Sequence, residues 1–163
     1  MLNENFNGKL TIKSDNLNNG SFFNEILINS NYVGEKIELS NSKLLNKKIG
    51  SLNLDYGNIY LEENDILFKG KFSFEIFDKS RFYKKFLVSK KNQKDIKKVY
   101  FGLIYSLSNL DTKIFFISLN KDKPEMNDDL DNLIYSFNNN SITVNNWISL
   151  RSFINKILSS YPG

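Results

Sequence analysis

The chain contains no cysteine and no histidine. Without cysteine there is no disulfide, no thiolate metal ligand and no thiol nucleophile. Without histidine, the commonest general base and the commonest transition-metal ligand are both missing. Ser-His-Asp and Cys-His catalysis are therefore excluded within these 163 residues. Chemistry here would have to run on carboxylates, Lys, Tyr or a hard metal ion held by oxygens. The eight glycines are scattered and build no phosphate-binding loop. Apolar runs such as Ile114–Ile117 are far too short to span a bilayer. Met1 to Leu10 is polar and lacks the apolar stretch of a signal peptide. The expectation is a cytoplasmic protein with no transmembrane segment, no disulfide and no cofactor. Alanine is absent too, while Asn, Lys and Ile fill more than a third of the positions. That usage follows AT-rich coding and gives single Asn or Lys residues little meaning.

What is present suffices for a core. The hydrophobic share is 40%, with 14 Phe and 8 Tyr, and the length fits one domain spanning residues 1–163. The clearest pattern is at 66–77. Ile66, Phe68, Phe72, Phe74 and Ile76 share one parity, with Gly70 among them, and Leu67, Lys69, Lys71, Ser73, Glu75 and Phe77 fall on the other. A period of two over twelve residues predicts a strand with one buried face, and Gly70 marks a bulge or bend. Leu52, Leu54 and Tyr56, then Gly57-Asn58, then Ile59 and Leu61 read as a hairpin.

Beyond residue 78 the spacing turns helical. Phe82, Tyr83, Phe86 and Leu87 fall on one helix face, and Ile96, Val99, Tyr100, Leu103 and Leu107 follow i, i+3, i+4, i+7, i+11. Residues 112–119 read as a buried strand. Asp122 and Glu125 around Pro124 form a capping-box pattern before an amphipathic stretch through Phe137. Residues 141–145 suggest a short strand, and a last helix starts near Asn146. The expected class is α+β. It consists of an antiparallel β-meander of five to six strands in the N-terminal half. Three to four helices and one or two further strands follow, packed on one sheet face.

Charge is concentrated in one place. Residues 79–98 carry nine cations against one acid, Asp95, while the rest of the chain is net acidic. The candidate binding residues are Arg81, Lys84, Lys85, Lys90, Lys91, Lys94, Lys97 and Lys98. Such a cluster attracts phosphate, acidic protein faces or anionic lipid headgroups. The plain alternative is a pair of amphipathic helices whose aromatics are core and whose lysines face water. Only Arg81 offers a bidentate fork, so specific base readout is not expected.

Other candidates are weaker. Asp128, Asp129 and Asp131 lie where a helix dipole favours carboxylates and lack the glycine and distal Glu of a calcium loop. Asp95-Ile96-Lys97 and Asp111-Thr112-Lys113 have the acid-x-lysine form of some metal nucleases, at the frequency chance provides. Trp147 reads as a buried anchor. The expected function is a non-catalytic, intracellular binding protein that occupies a macromolecular partner, in the manner of an inhibitor, immunity or anti-defence protein. Its partner is a protein with an acidic face. The second reading is a nucleic-acid binder using residues 79–101. The third is a metal-dependent enzyme with oxygen ligands.

Overall fold

The computed structural model describes residues 7–17, 21–123, 127–140, 144 and 146–161. Eight strands form one antiparallel sheet: β1 (Asn7–Ser14), β2 (Glu25–Val33), β3 (Lys36–Leu39), β4 (Ser42–Asn46), β5 (Gly50–Glu62), β6 (Asp65–Ile76), β7 (Lys98–Ser106) and β8 (Asp111–Leu119). Helix α1 (Lys79–Phe86) and a single 3₁₀ turn at Lys90–Asn92 separate β6 from β7. Helices α2 (Asp128–Asn138) and α3 (Trp147–Ser160) follow β8. Strands make up 48% of the described residues and helices 25%. No helix among them is long and apolar enough to cross a membrane.

The expected α+β balance is thus overturned in favour of a mostly β protein. The sheet continues to Leu119, and three helices are laid on it. The largest single error is residues 96–107, whose helical spacing coincides with a strand. β7 is paired on both sides, with β6 through Phe72↔Phe101 and with β8 through Phe101↔Ile117. Its Val, Tyr, Phe and Ile residues suit a pleated surface with neighbours on both edges. The expected hairpin at Gly57-Asn58 is also absent, because β5 runs unbroken through both residues. The turn lies at Glu63 and Asn64, both at positive φ (47° and 72°), as a two-residue hairpin turn requires. The capping box expected around Pro124 and the strand expected at 141–145 fall at least partly outside the described residues. Within them, Asn127 caps α2 by accepting from the N–H groups of Asp129 and Leu130.

Strand order follows chain order, except that β3 and β4, consecutive in the chain, do not pair with each other. β3 and β4 are two halves of one position, since both lie between β2 and β5. The break at Asn41 (φ 51°) is sealed by Asn29. Its N–H donates to Ser42 Oγ at 2.9 Å, and its side-chain amide donates to the Asn41 carbonyl at 3.0 Å. β5 and β6 shift register between Leu54 and Tyr56, leaving Asp55 as a bulge. Next to it Gly57 pairs with Gly70, and the Phe68 ring occupies the space that a side chain at either glycine would need. Glycine at 70 therefore serves close approach, and the irregularity sits on the partner strand.

One sheet face is mostly apolar, with Ser30 and Ser42 as its buried polar residues. Over β5–β8 it meets the helices in a core that includes Ile76, Ile96, Ile117, Leu119, Phe82, Phe86, Leu130, Phe153 and Leu158. Over β1 and the β5–β6 tip it emerges into solvent at Leu10, Ile12, Leu61 and Ile66. The opposite face hides small hydroxyls. Ser51, Ser73 and Ser118 are fully buried, and Ser73 donates to the bulged Asp55 at 3.1 Å.

Two predictions test this architecture. A Cβ at Gly50 would lie 2.2 Å from the Glu75 carbonyl oxygen. Gly50→Ala is therefore expected to lose about 1–3 kcal/mol in urea unfolding, and Ser80→Ala on the exposed side of α1 within about 0.5 kcal/mol. An unchanged Gly50→Ala would refute the Gly50↔Ile76 register.

The second concerns Asp65, whose carboxylate accepts from Ser106 Oγ at 2.6 Å and from the Ser108 N–H at 3.3 Å. Those bonds, the Ser106 hydroxyl first, hold its carboxyl below the usual range. Its stabilisation is present above the unfolded value near 4 and is lost as pH falls through the folded one. Asp65→Asn should shrink the acid-side drop of the urea midpoint; an identical pH profile would refute the assignment.

Candidate functional site

The basic segment begins with a well-stopped helix. Asp78 is the N-cap of α1 and accepts from the Arg81 N–H at 2.9 Å. Phe82, Tyr83 and Phe86 form its buried stripe. The helix ends at Leu87, which adopts the left-handed conformation (φ 52°, ψ 43°) usually given to glycine. The N–H groups of Leu87 and Val88 close the last turn on the carbonyls of Lys84 and Tyr83. Leu87 therefore leaves the apolar face on which its spacing placed it and is 64% exposed.

The buried stripe divides the helix's cations between two flanks. On one, Lys79, Ser80 and Lys84 border a broad, shallow depression of about 640 Å³, closed on its far side by Leu87, Val88 and Gln93. Tyr83 and Val88 are its buried members. The Tyr83 hydroxyl donates to the Lys94 carbonyl, and Gln93 Nε2 donates to the Val88 carbonyl at 3.0 Å. Burial pushes the Tyr83 phenol above its ordinary range. On the other flank Lys85 reaches over the Trp147 ring, 5.2 Å from its centre, and Arg81 pairs with Asp78 at 3.1 Å.

The nine cations do not form one surface. Lys79 is paired with Asp95, whose carboxyl is held below its usual range by that partner. Lys98 lies on the far sheet face, over Tyr100 at 4.9 Å. The Lys97 N–H is bound by Asn120 Oδ1 at 2.7 Å, at the entry to β7. Lys94 lends its carbonyl to Tyr83. Lys84, Lys90 and Lys91 are exposed around α1 and the 3₁₀ turn, and among the described residues no carboxylate pairs with them. Sequence reasoning found these lysines and missed Leu87. No residue type signals that a leucine will take the left-handed cap.

The acidic candidates stay apart. Asp128, Asp129 and Asp131 occupy the first turn of α2, and Asp111 opposes Ser106 at the start of β8. Among the described residues no three acids converge on a point where a metal ion would sit. Trp147 is partly buried between Phe22 and Phe86, with ring centres at 5.6 and 5.2 Å. No protein-family model matches the chain, and no similar curated protein or solved structure was found.

The floor of the depression gives a prediction. The Tyr83 phenol is raised in the folded state, so its share of stability is present below the unfolded value near 10 and is lost as pH rises through the folded one. In an alkaline absorbance titration of the eight tyrosines, Tyr83→Phe should remove a late-ionising component. A titration curve that loses an ordinary component instead would show Tyr83 to be solvated.

Proposed function

We propose that the protein is a non-catalytic, intracellular binding protein that occupies an acidic face of another protein through the α1 depression. Leu87 is the apolar anchor, and Lys84, Lys90 and Lys91 supply the charge around it. The observation that carries this reading is Leu87 itself. A leucine held in the left-handed region and 64% exposed is locally strained, and strain of this kind clusters at ligand clamps. Lys84 borders the depression beside it, Lys90 and Lys91 follow within four residues of it in the chain, and none of the three has a carboxylate partner among the described residues. An apolar anchor inside a charged rim suits a protein partner, the rim steering association and the anchor slowing release. Action by occupancy, as in an inhibitor or immunity protein, fits a chain without histidine or cysteine.

A nucleic-acid role for residues 79–101 is less well supported. Phe82, Tyr83 and Phe86 are buried, so they present no ring for a base to stack on. Lys98, on the opposite sheet face, cannot join the α1 lysines along one strand.

The test is affinity capture from the native host with three baits: wild type, Leu87→Ser, and Lys84→Glu with Lys90→Glu and Lys91→Glu. One protein should be retained by wild type and lost with both variants. The charge reversal should slow its association about tenfold or more, with a steep salt dependence. Gel shifts with duplex and single-stranded probes at about 150 mM salt provide the counter-test. Sub-micromolar binding there, abolished by the same reversal, would replace the protein partner with a nucleic acid.

A further inference from the structure

The helices do not close fully on the sheet. The backbone of α3 lies against α1, the 3₁₀ turn and α2. Between its apolar stripe and the strands is a cavity of about 580 Å³. Protein interiors ordinarily hold few voids larger than one water molecule, whereas small-molecule sites run to roughly 300–1,000 Å³. The wall is built by Phe74, Phe101 and Leu103 from the strands and by Leu150, Phe153 and Ile154 from α3. Thr112 is the single side chain with an oxygen among the described lining residues. A water molecule in such a space finds too few polar partners, and an apolar ligand needs none.

The wall where α1 meets α3 carries positive charge outside it. Trp147 lines the cavity, and Lys85 Nζ sits 5.2 Å from the centre of its ring. One turn along α3, Arg151 lies on the same stripe, between Trp147 and Asn155. Asn155 Nδ2 in turn donates to the Phe86 carbonyl of α1 at 2.9 Å. By helical spacing Arg151 falls on the edge of α3 that Trp147 and Asn155 turn toward α1, the side to which Lys85 reaches, and no carboxylate among the described residues pairs with Lys85 or Arg151.

We propose that this cavity binds a single-chain anionic amphiphile, a long-chain fatty acid. Its hydrocarbon tail lies between α3 and the sheet, and its carboxylate meets Lys85 and Arg151 at the α1–α3 seam. The apolar lining selects the tail. The two cations, neither paired with a carboxylate among the described residues, select the sign of the head.

The single tryptophan of the chain is in the cavity wall, so its emission reports occupancy. The purified 163-residue chain is titrated with palmitate below its aggregation threshold, in parallel with hexadecanol, which has the same tail and no charge. A saturable change at one palmitate per chain is expected. Val99→Phe, which fills the cavity from β7, should abolish it while circular dichroism stays native. Lys85→Glu with Arg151→Glu leaves the lining intact. It should weaken palmitate about tenfold or more, the loss expected for charge-assisted contacts, and leave hexadecanol unchanged. If Val99→Phe fails to fold, the charge-reversed chain alone decides. Absence of saturable palmitate binding by the wild type overturns the proposal. So does palmitate affinity that is equal in the wild-type and charge-reversed chains.

Discussion

The pairing of β5 with β6 is the constraint on which the rest of the molecule depends. Thirteen residues of one strand run beside twelve of the other, from Gly50↔Ile76 to Glu62↔Asp65. The outer edge of β5 seats β3 and β4, and the outer edge of β6 seats β7. The pair also ends in the right place. Ile49 accepts from the N–H groups of Phe77 and Asp78, which fixes where the chain leaves the sheet to begin α1. Within the pair, the Asp55 bulge adds local twist. Gly57 and Gly70 let the Phe68 ring lie across both strands. Removing the bulge would invert the facing of every β5 residue beyond it, because the side-chain period of a strand is two.

A sheet of this length needs its edges managed. At β8 the work is done by one side chain. Asn138 of α2 accepts from the Ile114 N–H and donates to the Ile114 carbonyl, both at 2.8 Å. Its amide thus imitates a further strand at that point. At β1 the outer edge carries Lys9 and Lys13, charges that oppose pairing with another edge. The apolar face behaves differently. The helices follow β6 and β8 in the chain and cover the strands nearest to them, so Leu10 and Ile12 at the far end remain exposed.

The sequence carried the alternation of 66–76 plainly, because a half-buried strand repeats its signal at every second residue. It could not carry the identity of 98–106. Val99, Phe101 and Leu103 face the helices, while Tyr100 and Ile104 face the other way. With apolar residues on both faces there is no alternation to read, and helical spacing appears by coincidence. What decides the matter is pairing with residues about 30 positions earlier, in β6, and with β8. The Gly57-Asn58 misreading has a similar origin. Glycine served close approach there, and Glu63 and Asn64 took the turn without one. The cavity was illegible for a further reason: its apolar residues look like core in any sequence, and only the seating of α3 decides whether they meet.

The basic segment shows why charge density along a chain overstates charge density on a surface. Nine cations within twenty residues would repel strongly if they shared a face. The fold disperses them. Asp95 and Asp78 each take one, and the rings of Trp147 and Tyr100 each take another. The sheet itself stands between Lys98 and α1. Because α1 spends three of its eight positions on the buried stripe, the remaining cations must leave by two flanks. One flank meets the depression beside Leu87 and the other meets the α1–α3 seam. The helix is therefore a shared wall, with Phe82 and Phe86 bounding the apolar cavity and Tyr83 and Lys84 the depression. A single eight-residue helix thus divides the charge of the segment between two flanks with different surroundings.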